Sequence, residues 1–177
     1  MTYLIVDFEA TCCDAGSVPR NEMEIIEIGA VALDPKSLRI IDEFERFVKP
    51  QRHPLLTNFC ASLTSITQRD LDRADSFPEV LKSFQAWIGQ FENPVFCSWG
   101  NYDKNQLLQD CRYFKVPFPF DEQHINIKQR FAENKGYRKG MGLGRAIKTM
   151  GLTFHGTAHR GIDDARNMAR LAPHIFS

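Results

Sequence analysis

The first third of the chain is built from apolar runs separated by turns. Tyr3 to Val6 is a short run rich in β-branched and aromatic residues, and Glu24 to Leu33 is a longer one. Residues Ile40 to Val48 alternate between apolar and polar and stop before Pro50. Short apolar runs and period-two alternation are typical of strands. The pattern therefore predicts three successive strands.

Helical spacing follows these strands. The segment Leu63 to Ala74 has apolar residues at helical intervals, and Ser76 with Pro78 and Glu79 is typical of the start of a second helix. That second helix would bury four apolar side chains, Val80, Phe84, Trp87 and Ile88. Two helices are therefore predicted after the three strands.

The second half of the chain mixes one strand with several helices. Val95 to Trp99 is predicted as a strand, and Asn101 to Phe114 as the helix that follows it. Three further helices are predicted at Ile125 to Ala132, Met141 to Met150 and Ile162 to Leu171. No linker or repeat divides the chain, so residues 1–177 are expected to form one domain of the α/β or α+β class.

Composition excludes several classes of protein. At 177 residues with 43% hydrophobic composition, the chain can bury a core as one ordinary domain. It has no uncharged apolar stretch of membrane-spanning length and no secretory signal pattern, so a cytoplasmic location is expected. The five cysteines include no C-x-x-C pair, which argues against a disulfide framework or a zinc site.

The charge is balanced overall but unevenly distributed. The net charge is zero, whereas residues 104–148 hold 10 basic and 4 acidic side chains. This segment is a candidate track for nucleic-acid phosphates, and a solvated helical surface is the alternative. The basic residues available to such a track are Lys128, Arg130, Lys135, Arg138, Lys139 and Lys148.

Two carboxylates lie at the end of the first predicted strand. Asp7 and Glu9 are two residues apart, so their side chains project from the same face of a strand. Two like charges held together on an interior strand are costly unless a cation lies between them, and oxygen ligands suit Mg²⁺ or Mn²⁺. The alternative is that both residues lie in water at a frayed strand end.

Three more polar residues complete a candidate constellation. Asp103 follows the strand Val95 to Trp99, and strand C-terminal ends are where α/β sites gather. Asp164 lies in the first turn of the last predicted helix, and His159 precedes it in a glycine-flanked loop. A loop histidine can accept a proton near neutral pH. Taken singly, Asp103, Asp163 and Asp164 would be better explained as acids of a first helical turn.

Together these residues resemble the DEDDh exonucleases of the ribonuclease-H-like superfamily in order, spacing and context. Within that branch the chain resembles the Eri-type 3′ exoribonucleases from Tyr3 to about Ala172. The strings that carry the resemblance are Asp7-Phe8-Glu9-Ala10-Thr11-Cys12, Glu24-Ile25-Ile26-Glu27-Ile28-Gly29, Phe59 to Gln68, Ser98-Trp99-Gly100-Asn101-Tyr102-Asp103 and His159-Arg160-Gly161-Ile162-Asp163-Asp164-Ala165. It implies a mixed five-stranded sheet flanked by helices in a single domain.

The resemblance also implies a mechanism. Two divalent ions, Mg²⁺ or Mn²⁺, would be held by Asp7, Glu9, Asp103 and Asp164, with Asp7 bridging both, and His159 would be the general base. Two ions about 4 Å apart relieve charge on both the attacking and the leaving oxygen of a phosphodiester. The expected activity is 3′–5′ exonuclease hydrolysis of single-stranded or 3′-overhanging nucleic acid, with RNA favoured, and release of nucleoside 5′-monophosphates.

Three residues are expected at the terminal nucleotide by the same resemblance. Phe59 and Tyr102 are candidates for packing on it, and Thr11 is a candidate for contact with the 3′ hydroxyl. Core packing is an equal alternative for either aromatic, and many Eri-type members carry Trp at the position of Tyr102.

Other activities fit the same five site residues. A DNA proofreading exonuclease and an oligoribonuclease share them, and a catalytically silent binding module would keep the fold without the chemistry. Some eukaryotic relatives carry an extra N-terminal nucleic-acid-binding domain, for which the sequence before Tyr3 leaves no room. Preferences for structured RNA that depend on that domain are not expected here.

Overall fold

A computed structural model describes residues 1–121 and 123–176 of the chain. Six strands form one mixed sheet in the order β4-β3-β2-β1-β5-β6. The strands are β1 (Thr2–Ala10), β2 (Ile25–Leu33), β3 (Ile40–Lys49), β4 (Asp75–Ser76), β5 (Pro94–Ser98) and β6 (His124–Asn126). The helices are α1 (Asn58–Thr64), α2 (Gln68–Asp72), α3 (Phe77–Ile88), α4 (Tyr102–Phe114), α5 (Ile127–Asn134), α6 (Leu143–Thr149), α7 (Gly161–Arg170) and α8 (Ala172–Ile175).

Strand β1 is central to the sheet and covered on both faces. It pairs antiparallel with β2 and parallel with β5. Its even-numbered residues, such as Leu4, pack with Phe84 of α3 and Leu107 of α4. Its odd-numbered residues, such as Ile5, pack with Met168 of α7. Because side chains alternate along a strand, Asp7 and Glu9 lie on the face that α7 covers.

The predicted α/β class is confirmed, and two boundaries were wrong. The helix predicted at Leu63 to Ala74 is two short helices, α1 and α2. Ser65 ends α1 in the left-handed region at a φ of 59°, and Thr67 begins α2 in a capping box with Asp70. This break redirects the chain between the two helices.

The helix predicted from Ile125 begins later, because residues His124–Asn126 form strand β6. The Asn126 side chain accepts a hydrogen bond from the Gln129 amide and so starts α5 at Ile127. With β6 and the two-residue β4, the sheet has six strands where five were expected. In the described ranges, no helix combines the length and apolar character needed to cross a membrane.

Candidate active site

Two carboxylates on the central strand form the floor of the candidate site. Glu9 is buried and Asp7 is half-buried, and both face the start of α7. Desolvation raises the pKa of Glu9 to about 9, and the neighbouring carboxylates of Asp164 and Glu27 add to the shift. Desolvation, followed by repulsion from Asp103 and Glu9, raises the pKa of Asp7 well above its ordinary value. The strand therefore concentrates acidic groups that lack a cationic partner of their own.

Asp103 reaches the same place from the start of α4. It is 4% exposed, and its Oδ1 accepts the backbone N–H of Phe8 at 3.0 Å. That bond ties the first turn of α4 to Phe8, which lies between Asp7 and Glu9 near the end of β1. Burial raises the pKa of Asp103 to about 7, although the Phe8 N–H opposes the rise. Asp103 is thus placed by the backbone of the strand that carries the other two acids.

Helix α7 brings Asp164 to the strand through a contact between two glycines. A Cβ on Gly29 of β2 would overlap the backbone of Gly161 and Ile162. A Cβ on Gly161 would lie 2.9 Å from the carbonyl oxygen of Asp7. Both positions must lack a side chain for the helix start to lie directly on the sheet. The glycine pair therefore sets the distance between Asp164 and the carboxylates of β1.

A buried ion pair, which the sequence did not reveal, fixes the loop before α7. Glu27 lies on β2 opposite Glu9 of β1 and is fully buried. Its carboxylate accepts hydrogen bonds from Arg160 Nε at 3.1 Å and from the Gly161 N–H at 3.0 Å. Arg160 also pairs with Glu45 at 3.1 Å. The residue just before Arg160, His159, adopts a left-handed φ of 63°, a conformation uncommon outside glycine. Glu27 and Arg160 thus hold the segment that presents both His159 and Asp164.

The two adjacent aspartates of α7 have different surroundings. Asp163 accepts hydrogen bonds from the Thr157 N–H at 2.9 Å and from Arg166 at 3.2 Å. Asp164 faces the carboxylates of β1, and its Oδ1 is buried without a hydrogen-bond partner among the described residues. Desolvation raises the pKa of Asp164 to about 7. Asp164 therefore lines the cavity with the other carboxylates, whereas Asp163 is engaged by Thr157 and Arg166, and the assignment of Asp164 as the site residue stays a prediction.

These groups meet in a cavity of about 260 Å³. One ligand atom from each of Glu9, His159 and Asp164 lies within 4.8 Å of the other two. His159 is exposed, so its imidazole reaches the site from the solvent side. The cavity is lined by Asp7, Phe8, Glu9, Trp99, Tyr102, Asp103, Leu143, His159 and Asp164. All five predicted catalytic residues are therefore brought together.

The donor set fits a hard divalent cation. Four carboxylates line the cavity, and their pKa values are raised by desolvation and in part by one another. One buried oxygen of Asp164 has no hydrogen-bond partner among the described residues. Oxygen ligands are those that Mg²⁺ and Mn²⁺ prefer. A bound cation would replace mutual repulsion by attraction and satisfy the orphaned oxygen.

The residues expected at the terminal nucleotide differ in accessibility. Tyr102 is 39% exposed and lines the cavity, and Phe59 is also 39% exposed but does not line it. Thr11 is 2% exposed, and its Oγ1 accepts the Glu24 N–H at 2.9 Å. Nucleotide contacts by these three residues stay predictions.

Trp99 lines the cavity, although the sequence analysis assigned no role to this residue. Its indole Nε1 donates to the carbonyl oxygen of Met141 at 2.9 Å, which ties the end of β5 to the segment before α6. The sequence feature that could have indicated this role is the position of Trp99, an aromatic residue at the end of the predicted strand that precedes Asp103. Leu143 at the start of α6 forms part of the same wall, and no sequence signal marked it.

Comparison with known proteins gives a consistent family. Residues 4–172 match the model of the exonuclease family RNase_T. Human 3′-5′ exoribonuclease 1 is 36% identical over 176 residues, which cover 95% of this chain and 50% of that protein. The probable 3′-5′ exonuclease KapD of Bacillus subtilis is 32% identical over 170 residues, which cover 95% of this chain and 81% of that protein. This chain spans about half the length of its mammalian exoribonuclease 1 relatives.

Solved structures agree with this result. The nuclease domain of 3′hExo, a DEDDh family member bound to rAMP, has a TM-score of 0.89 and 34% sequence identity. That match covers 97% of this chain and 89% of the other. The predicted ribonuclease-H-like fold is thereby confirmed, and the family is one of divalent-metal-dependent nucleases. The chain belongs to the RNase_T exonuclease family, in its DEDDh branch.

Proposed function

We propose that this chain is a divalent-metal-dependent 3′–5′ exonuclease that hydrolyses the terminal phosphodiester of RNA and releases nucleoside 5′-monophosphates. The observation that carries the proposal is the convergence of Asp7, Glu9, Asp103 and Asp164 with His159 in one cavity. Relatives named 3′-5′ exoribonuclease and a related structure bound to rAMP support RNA as the substrate. We further propose that residues 1–177 act as one exonuclease domain, and a cytoplasmic location stays a prediction.

The four carboxylates would hold two cations, Mg²⁺ or Mn²⁺. When bound, such ions promote ionisation of the attacking water and neutralise charge on the attacking and leaving oxygens. Asp7 has carboxylate neighbours in Glu9, Asp103 and Asp164, and it would hold the cations together with them. Because the protein supplies a net negative cleft, affinity for the cations should depend on every one of these carboxylates.

His159 would act as the general base. It is exposed at the mouth of the cavity, and its ring lies near the carboxylates of Glu9 and Asp164. An imidazole can accept the proton of the attacking water at neutral pH and release it to solvent. The Glu27 ion pair with Arg160 would hold the loop so that this ring returns to the same position in each turnover.

The wall of the cavity would select a terminal nucleotide. Trp99, Tyr102 and Leu143 line the cavity beside the carboxylates, so an unstacked base could pack against them. Phe59 and Thr11 would contribute from the neighbouring α1 and from the end of β1. A small cavity of this kind accepts one nucleotide and favours a free end over an internal position.

The test is a time course with oligonucleotides labelled at the 5′ end. RNA and DNA of one sequence, single-stranded or with a 3′ overhang, are incubated with Mg²⁺, with Mn²⁺ and with chelator. We expect a ladder that shortens from the 3′ end only with metal, and faster for RNA. Faster shortening of DNA would overturn the RNA assignment. Binding without shortening of either substrate would indicate a silent binding module.

A further inference from the structure

A second cavity, of about 520 Å³, lies beside the catalytic one. It is bounded by the turn at Gly100 and Asn101, by Lys128 of α5, and by the loop after α5 that carries Tyr137, Arg138 and Lys139. The sequence analysis identified six basic residues of segment 104–148 as candidates for contacts with nucleic-acid phosphates. The structure gathers three of them, Lys128, Arg138 and Lys139, around this cavity.

The charges of these three cations are unpaired within the part of the chain that the structure describes. In residues 1–121 and 123–176, none of them lies within ion-pair distance of a carboxylate, whereas Arg160 and Arg166 are both paired. The one carboxylate on the cavity wall, Glu133, accepts a hydrogen bond from Gln129 at 2.8 Å. The three cations outnumber the one carboxylate on the cavity wall, so the cavity presents a net positive charge, which suits an anionic ligand.

Lys128 is held in place by two glycines. A Cβ on Gly140 would lie 2.9 Å from Cγ of Lys128, and a Cβ on Gly100 would lie 4.0 Å from its Cδ. The aliphatic stem is thus packed between two stretches of bare backbone, and the residue is only half-buried. This packing limits the freedom of the side chain before any ligand arrives.

The position of the cavity relates it to the catalytic one. Trp99, Tyr102 and Asp103 line the catalytic cavity. Gly100 and Asn101, which lie between Trp99 and Tyr102 in the sequence, line the cavity that contains Lys128. One turn of the chain therefore separates the two. A third cavity shares Leu143, His159 and Asp164 with the catalytic cavity. Its lining contains no lysine or arginine, since its other residues are Gly142, Gly144, Phe154, Gly156 and Ala158. A polyanion leaving the catalytic cavity therefore meets basic residues in the cavity of Lys128 and none in the lining of the cavity that contains Phe154.

We propose that this cavity binds the sugar–phosphate backbone of the nucleotides 5′ to the terminal one. The inference rests on the proposed exonuclease function and adds a subsite that makes longer strands better substrates than dinucleotides. Lys128, Arg138 and Lys139 contact successive phosphates, and Tyr137, which is 36% exposed, offers a face for stacking. Arg130 lies outside this track, because its guanidinium sits 5.5 Å from the ring centre of Phe176.

The test compares two triple variants that neutralise equal charge. The first is Lys128→Met with Arg138→Gln and Lys139→Gln, which keeps the side-chain stems. The control is Lys36→Met with Arg69→Gln and Lys82→Gln, three exposed cations that line neither cavity. Binding of a fluorescent single-stranded oligonucleotide is measured by anisotropy in chelator across a range of salt concentrations. The ratio of kcat/KM for that oligonucleotide over a dinucleotide is measured with Mg²⁺.

We expect the first variant to reduce the slope of log Kd against log salt by about 2, since each phosphate contact on a single strand contributes about 0.7. The Kd of this variant for the oligonucleotide at low salt should rise by about tenfold or more. The ratio of kcat/KM values should fall in parallel, and the control should match wild type in both. An unchanged slope, or an equal change in the control, would overturn the subsite. If wild type shortens no oligonucleotide, the proposed function fails, while the binding slopes still decide the subsite.

Discussion

Replacing Gly29 with alanine should displace helix α7 and with it the catalytic constellation. The new methyl carbon would lie 2.5 Å from the carbonyl oxygen of Gly161 and closer still to two other backbone atoms, Gly161 C and Ile162 N. Non-bonded heavy atoms prefer separations of about 3.5 Å or more, so the start of α7 must move away from β2 by about 1 Å. Overpacking of this kind costs about 1–3 kcal/mol. A misplacement of about 1 Å can cost about 100-fold in rate, and Asp164 moves with the helix.

The assay pairs thermal unfolding with single-turnover cleavage of a labelled oligonucleotide. Gly89→Ala is the matched control, because its Cβ would find the nearest atom at 3.4 Å and the residue lies far from the site at the end of α3. We expect Gly29→Ala to melt lower than wild type and to cleave about 100-fold more slowly. The control should change neither property. If Gly29→Ala cleaved at the wild-type rate, the close contact would not set the position of Asp164, and this reasoning would be refuted.

Three further predictions concern the carboxylates and the histidine. Asp7→Asn should abolish turnover and weaken binding of Mg²⁺ while the chain stays folded in chelator, and unfolding would instead indicate a structural role. His159→Ala should lower kcat far more than it raises KM, and a near wild-type rate at pH 7 would rule out the general base. In chelator, thermal stability should fall as pH rises from about 4 to 9, because the folded-state pKa values of Asp103, Asp164 and Glu9 are raised to about 7, 7 and 9. Mg²⁺ competes with these protons, so it should raise the melting temperature more at pH 8 than at pH 6. An equal metal effect at both pH values, or a flat profile in chelator, would contradict that assignment.

The sequence predicted those features that depend on nearby residues. Strand alternation placed Asp7 and Glu9 on one face, and helix-start signals placed Asp103 and Asp164 in first turns, as the structure has them. Strand β6 was missed because three residues are too few for a period to be read. The break between α1 and α2 depends on the left-handed Ser65, a residue without strong preference for that conformation.

The remaining features of the site depend on contacts between distant parts of the chain. Glu27 and Arg160 are 133 residues apart, and neither residue alone indicates a buried pair. Gly29 lies in an apolar strand where a small residue has several explanations, and its contact with Gly161 requires the packing of α7 on β2. Asp163 and Asp164 could be separated only when the partners of Asp163 were known. Long-range packing thus decides what local patterns leave open.

We propose that this cavity hydrolyses the terminal phosphodiester by direct attack of water on phosphorus. The most direct measurement is mass spectrometry of the mononucleotides released from an oligonucleotide with Mg²⁺ in water enriched in oxygen-18. We expect nucleoside 5′-monophosphates that carry one heavy oxygen on the phosphate, and no release of mononucleotides by Asp7→Asn. Release of nucleoside 3′-phosphates or 2′,3′-cyclic phosphates, or of 5′-monophosphates without the heavy oxygen, would contradict it.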